Sequence, residues 1–211
     1  MHHAPERIVL VTGGSRGIGA DVAQQLTDVD THVIVNYREN AADAETTAKA
    51  IRSAGGSAST LRADLADAAD CVAMIESIAA DFGRLDALIL NASVGAEPGA
   101  NPGCAQRRNR DAQRRLALMA VPLMPVGGRI VFVTSHQAHF YPYKAVPKGY
   151  TAAAASKRAG EATLNAMRPE FQRAGVHLTV VAGDMIDDDF AGAVVNAANT
   201  AYPSGIVYVA A

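Results

Sequence analysis

Arg7-Ile8-Val9-Leu10-Val11-Thr12-Gly13-Gly14-Ser15-Arg16-Gly17-Ile18-Gly19 is the stretch that decides the fold. Arg7 to Val11 is a β-rich, uninterrupted apolar run that reads as a short buried strand, and it leads straight into the glycines. A helix is expected from about Ile18 to Leu26. Gly13, Gly17 and Gly19 are spaced GxxxGxG between these elements. Glycines at such a turn permit unusual backbone angles, close approach of the main chain to a pyrophosphate, and close packing of helix on sheet. The N–H groups that open the helix then face the phosphates. Ordinary turns also contain glycines, but the position between strand and helix favours a dinucleotide site.

Outward from this unit the pattern repeats. His32 to Asn36 reads as a second buried strand, and Ala41 to Ala54 as a helix stopped by Gly55-Gly56. Further strands are predicted at Ala58 to Arg62, Ala87 to Leu90, Arg129 to Thr134, Leu178 to Ala182 and Ile206 to Val209. Helices are predicted between most of them, at Ala68 to Phe82, Arg108 to Met119 and Thr151 to Met167. Strands this apolar are covered on both faces, so the class is α/β: a Rossmann-type, doubly wound parallel sheet forming a single nucleotide-binding domain over 1–211. Two stretches break the pattern. Val94 to Gly103 is rich in Gly and Pro, which suits a mobile loop at a site mouth. Between Val181 and Ala191 only Asp187-Asp188-Asp189 and a few neighbours separate the sixth strand from the last helix. Either a substrate lid is short in this protein or residues are missing from the stretch.

The bulk composition narrows the partners. Nineteen basic and twenty-one acidic residues give a formal charge of −2, so no global positive field draws in nucleic acid or an anionic membrane. No apolar run approaches the ~20 residues that span a bilayer, and Met1 to Glu6 lacks the apolar segment of a secretion signal. Cys71 and Cys104 have no metal-ligand spacing and read as free thiols in a reducing compartment, with cytoplasm the expected location.

The end of the second strand reads Asn36-Tyr37-Arg38, where the adenosine ribose is expected. A carboxylate there favours NAD by bonding the 2′-hydroxyl. None occurs before Glu39, whereas Arg38 and Arg16 together suit a 2′-phosphate through charge-assisted hydrogen bonds. NADP(H) is therefore expected over NAD(H).

TGGSRGIG after the first strand, Asp64-Leu65 after the third, Asn91-Ala92-Ser93 after the fourth, Ser135 after the fifth and Ser156-Lys157 on the next helix resemble the short-chain dehydrogenase/reductase family. The resemblance covers nearly the whole chain. It implies that Gly13, Ser15, Arg16, Gly17, Ile18 and Gly19 bind the cofactor, and that Asp64 bonds the adenine amino group while Leu65 flanks the ring. It further implies that Asn91, Ala92 and Ser93 line the nucleotide, with Asn91 also tying the central sheet together. Two positions depart from the family: its NNAG becomes Leu90-Asn91-Ala92-Ser93, and its Pro-Gly after the sixth strand becomes Ala182-Gly183.

The chemistry implied by the resemblance is hydride transfer between nicotinamide and a carbonyl, with a proton delivered to the developing alkoxide. In that scheme Ser135 hydrogen-bonds the substrate oxygen, Lys157 holds the nicotinamide ribose and Asn109 holds a proton-relay water. The family's proton donor is a tyrosine one helical turn before the lysine, so that both lie on one helix face. Here that position is Ala153. A positioned general acid contributes typically ~10²–10⁴ in rate, so the substitute matters. Tyr150, seven residues before Lys157, is the leading candidate if it sits at a cap set by Pro147-Lys148-Gly149 instead of inside the helix, where it would lean away from the gap. His136, His139, Tyr141 and Tyr143 crowd the same connection, and a histidine or a water is the second possibility. The third is no efficient acid. His136 and His139 alone are too sparse for a metal.

Two functions follow as expectations: an NADP(H)-dependent oxidoreductase acting on a small carbonyl or alcohol, or a catalytically silent NADP(H)-binding sensor or scaffold. The helices around Arg108 to Met119 and Thr151 to Met167 correspond to those through which family members associate, and the second is alanine-rich, so a homodimer or homotetramer is expected. Substrate choice resides in the loops after Val94 and Met185, where pattern carries least.

Overall fold

Along β1 (Arg7–Val11) the side chains divide by parity, Ile8 and Leu10 entering one apolar cluster and Val9 and Val11 another. This is the period-two alternation of a strand with both faces covered. Six more strands join it: β2 (Thr31–Tyr37), β3 (Ser57–Arg62), β4 (Ala87–Leu90), β5 (Arg129–Ser135), β6 (His177–Gly183) and β7 (Ile206–Tyr208). All pair in parallel in the order β3-β2-β1-β4-β5-β6-β7, a doubly wound Rossmann-type sheet. In this computed structural model residues 7–28, 30–93, 101–147, 149–184 and 189–209 are described.

One face of the sheet is covered by α1 (Gly17–Gln25), α2 (Ala41–Ser53) and α8 (Phe190–Asn199) through residues such as Val22, Ile51 and Phe190. The other is covered by α3 (Ala68–Phe82), α4 (Pro102–Ala120), α6 (Thr151–Ala166) and α7 (Arg168–Arg173), with Met74, Leu116, Leu164 and Phe171 at the contact. A single helical turn, α5 (His136–His139), follows β5 directly. Local chemistry sets several boundaries. Asp67 caps α3 by accepting the N–H groups of Ala69 and Asp70, and Gly83, at φ +68°, ends it.

The strands fall within a residue or two of the sequence expectations. Among the helices, α5 and α7 are additional to those expected, and α4 begins at Pro102 instead of Arg108. Asn101 accepts the N–H groups of Gly103 and Cys104, and proline follows at the first turn, a capping signal that outweighs the Gly and Pro content of the preceding stretch. The end of the expected Val94 to Gly103 loop is therefore helix, while residues 94–100 lie outside the described residues. So do Met1 to Glu6, Lys148, Met185, Asp187 and Asp188. Among the described residues no helix is long and apolar enough to cross a membrane.

Candidate functional site

The sheet order reverses between β1 and β4, and at the carboxyl ends of the strands beside that point lies a cleft of about 550 Å³. Gly13, Ser15 and Arg16 from the glycine turn line it, with Asn36, Tyr37 and Arg38 from the end of β2, Asp64 and Leu65 after β3, and Asn91, Ala92 and Ser93 after β4. Gly13 and Gly17 have φ of +62° and +54°, the left-handed region that favours glycine. A Cβ on Gly19 would stand 2.2 Å from Gly13 O and 2.6 Å from Asn91 Nδ2. Only glycine fits there, and the bare backbone it leaves at the start of α1 suits a pyrophosphate. Ile18, partly buried, packs against the apolar cluster beneath α1.

Asn36 holds the turn in place. Its Oδ1 accepts the Gly13 N–H at 3.3 Å, and its Nδ2 donates to Leu61 O and Ala63 O at 3.2 and 3.3 Å. Arg16 and Arg38 are exposed on the wall of one cleft, Arg38 pairing with Glu39 at 2.9 Å. One carboxylate oxygen of Asp64 accepts the Ala66 N–H at 2.8 Å. Thr12, to which spacing assigned no role, proves central: fully buried, its hydroxyl donates to Ile89 O and accepts the N–H groups of Asn91 and Ala92.

Lys157 is buried on α6, and its Nζ donates to Asn91 O at 2.7 Å and to Val133 O at 2.9 Å. Burial pushes its pKa down from 10.5 to about 7. The ammonium thereby joins the ends of β4 and β5 to α6. Asn109 is fully buried on α4, and its Nδ2 donates to Ser156 O at 2.9 Å, the residue next to Lys157. Gln113 donates to Asn109 Oδ1 and to Ala92 O.

Ser135 ends β5 and caps α5, its Oγ accepting the Ala138 N–H at 3.2 Å. The same Oγ lies 3.2 Å from the phenol oxygen of Tyr150. Tyr150 stands at the N-cap of α6, follows Gly149 at φ +92° and has right-handed helical angles itself (φ −91°, ψ −7°), so its side chain leaves from the first turn of the helix. Ser135, His136, Gln137, Tyr150, Gly183 and Asp184 line a second cavity of about 330 Å³. Gly183 is required by packing, since a Cβ would stand 2.6 Å from the Phe190 ring. His139 faces Glu161 instead of this cavity, and Tyr143 is 88% exposed. No sequence pattern marked Gln137 or Asp184.

A strand-turn-helix cradle at the switch point of a parallel sheet, with serine, lysine and a phenol at the ends of β5 and α6, defines a nucleotide-dependent α/β protein. Residues 7–199 match the family model described as short chain dehydrogenase, and the chain belongs to that family. It is 32% identical over 190 residues to the 1-cyclohexenylcarbonyl-CoA reductase of Streptomyces collinus, covering 87% of this chain and 66% of that protein. Among solved structures it resembles a metagenomic short-chain oxidoreductase in complex with NADP, at TM-score 0.83 and 27% identity over 97% of this chain and 96% of that one. The promiscuous reductase LugOII, which catalyses keto-reduction at C1 during lugdunomycin biosynthesis, is similar at TM-score 0.81 and 27% identity over 100% and 97% of the two chains.

The burial of Lys157 has a measurable consequence for stability. Below pH 7 the lysine is charged both folded and unfolded, and the whole cost of burying the charge falls on the folded state. Between pH 7 and 10.5 the folded form loses its proton while the unfolded chain keeps it, so the unfolded state binds more protons and stability rises with pH. Urea denaturation of wild type and Lys157→Met should show the difference moving in favour of wild type across this window, by up to about 1.4 kcal/mol per pH unit. Parallel pH profiles for the two proteins would contradict it.

Proposed function

We propose that the protein is an NADP(H)-dependent oxidoreductase that interconverts a small carbonyl compound and its alcohol, with Tyr150 as the proton donor in place of a tyrosine at 153. The observation that carries this reading is the 3.2 Å approach of the Tyr150 phenol to Ser135 Oγ in a cavity that Gly183 also lines. Two of the proteins named above are reductases, and the third, a short-chain oxidoreductase, was solved in complex with NADP.

The nicotinamide, when bound, supplies the hydride that adds to the carbonyl carbon. In this reading the Ser135 hydroxyl donates a hydrogen bond to the carbonyl oxygen, and negative charge develops on that oxygen as the C=O π bond opens. Tyr150 transfers its phenolic proton to it, leaving a phenolate that regains a proton from water. Alcohol oxidation runs the same path in reverse. In its ammonium form Lys157 has a third N–H beyond those given to Asn91 and Val133, and it is assigned to a hydroxyl of the nicotinamide ribose. Asn109, bonded to Ser156 O, is assigned to fixing the helix that carries the lysine instead of presenting a relay water. Arg16 and Arg38 are assigned to the adenosine 2′-phosphate, since two guanidiniums line the cleft in which the ribose would lie. The rival reading, a nucleotide-binding protein without turnover, rests on Ala153 and is weakened by the position of Tyr150.

NADPH oxidation against a panel of ketones and aldehydes separates the two. Tyr150→Phe should lower kcat by ~10²–10⁴ with little change in NADPH binding. Absence of turnover in wild type, with activity appearing only in Ala153→Tyr, would establish the silent protein instead. For the cofactor, Arg38→Ala should raise the KM for NADPH about tenfold, the scale of one hydrogen bond to a charged group, and leave NADH use unchanged. Equal effects on both nucleotides would defeat the 2′-phosphate assignment. We further assign the protein to the cytoplasm, in keeping with the free thiols of Cys71 and Cys104, and expect a homodimer or homotetramer through α4 and α6. Sedimentation velocity that gives a monomer at high concentration would contradict the assembly.

A further inference from the structure

Glu161 is a carboxylate buried in the interior, 1% exposed, on the helix that carries Lys157. A charge in that position requires partners, because water no longer solvates it. Two are present. His139 Nδ1 lies 2.9 and 3.0 Å from the two carboxylate oxygens, and Arg158 Nη1, one turn before Glu161 on the same helix, lies 2.9 Å from one of them. Arg168 also feels the charge of Glu161.

These partners do different things. Arg158 is on α6 itself, so its pair neutralises charge without fixing α6 to anything. His139 is the last residue of α5, whose cap is Ser135, so its pair fixes α5 against α6. With Glu161 ionised, Nδ1 carries the proton and donates it, and this sets the direction of the ring. The opposite nitrogen, Nε2, lies 3.1 Å from the Tyr208 hydroxyl at the end of β7. The Phe140 and Tyr208 rings stack at 6.1 Å, closing the same corner. α5 is a single turn, too short to keep its own orientation, and what holds its far end is this buried contact.

The near end of α5 is the proposed reaction centre. Ser135 Oγ must accept the Ala138 N–H and meet the Tyr150 phenol at the same time, at 3.2 Å each. Tyr150 begins the helix on which Glu161 lies three turns further on. The relative placement of α5 and α6 therefore sets the distance between serine and phenol. We propose that Glu161 is a positioning residue for the proton-transfer pair: through His139 it locks α5 to α6 and thereby holds Ser135 and Tyr150 in register. This rests on the reading of Tyr150 as proton donor for its effect on rate, and on geometry alone for its effect on the phenol.

The test uses the full chain in two measurements. In protein labelled with 3-fluorotyrosine, the Tyr150 resonance is identified by its loss in Tyr150→Phe. Glu161→Gln, which keeps size and removes charge, should move or broaden that resonance. In NADPH oxidation with the best ketone of the panel, Glu161→Gln should lower kcat about tenfold and leave the KM for NADPH within about twofold, and the loss should vanish in a Tyr150→Phe background because both act on one step. A merely destabilised protein would lose the same factor in both backgrounds. His139→Gln, whose amide still offers an N–H toward Glu161, should retain most of the rate while His139→Ala loses it; this pair carries the test if Glu161→Gln does not fold. An unmoved Tyr150 resonance, or an equal loss of rate with and without the phenol, overturns the proposal. If Tyr150→Phe itself leaves kcat unchanged, the proton-donor reading fails, and the fluorine resonance still decides whether Glu161 positions the phenol.

Discussion

Four hydrogen bonds meet at Asn91, and both halves of the candidate site depend on them. Its N–H donates to Thr12 Oγ1, its side-chain amide donates to Thr12 O and Gly13 O, and its carbonyl accepts from Lys157 at 2.7 Å. The first three bonds fix the glycine turn to the end of β4, and the last fixes α6 to the same point. All lie in partly buried surroundings, where losing one partner strands the other, so the junction behaves as a unit. Gly19 belongs to it as well, since any side chain there would strike Asn91 Nδ2. The departure from the family's NNAG falls at Leu90 and Ser93 and leaves Asn91 and Ala92, and with them the junction, intact.

The fold was legible because its main determinant is apolar burial with a fixed period. β1, α3 and β4 occupy the predicted spans, since Ile8 to Val11 and Ala87 to Leu90 are uninterrupted and Asp67 and Gly83 mark both ends of α3. α5 was not legible. Four residues with two histidines show no periodicity, and the turn they form combines a local cap by Ser135 with a tertiary hold on His139. The start of α4 was missed for the opposite reason: Asn101-Pro102 is a local signal, obscured by the Gly and Pro of the preceding stretch.

The site divides in the same way. Residues of the glycine turn and of the strand ends were legible by position, because a backbone that must approach a phosphate restricts the residue type. Side-chain partners were not. Nothing in the spacing of Asn36 announced that its amide would hold Gly13 and Leu61, and nothing in that of Lys157 announced that its ammonium would lie on two main-chain carbonyls. Such bonds depend on which strand ends become neighbours, and that is decided by the sheet order and not by local sequence.

A proton donor at position 150, as proposed, is placed by a different geometry from one at position 153. Inside α6, a side chain at 153 would be directed by the helix, and its relation to Lys157 would follow from one turn of regular backbone. At the N-cap of α6, Tyr150 keeps right-handed helical angles, and its phenol reaches across to Ser135 Oγ at the end of β5. The distance between serine and phenol then depends on how α6 is placed against β5 and the short α5. A buried carboxylate on α6 that reaches across to the end of that turn is a physical means of fixing that placement, because a desolvated charge tolerates little displacement from its partners. In the proposed reading, a fixed placement of α5 against α6 does for Tyr150 what the spacing of one helical turn would do for a tyrosine at 153.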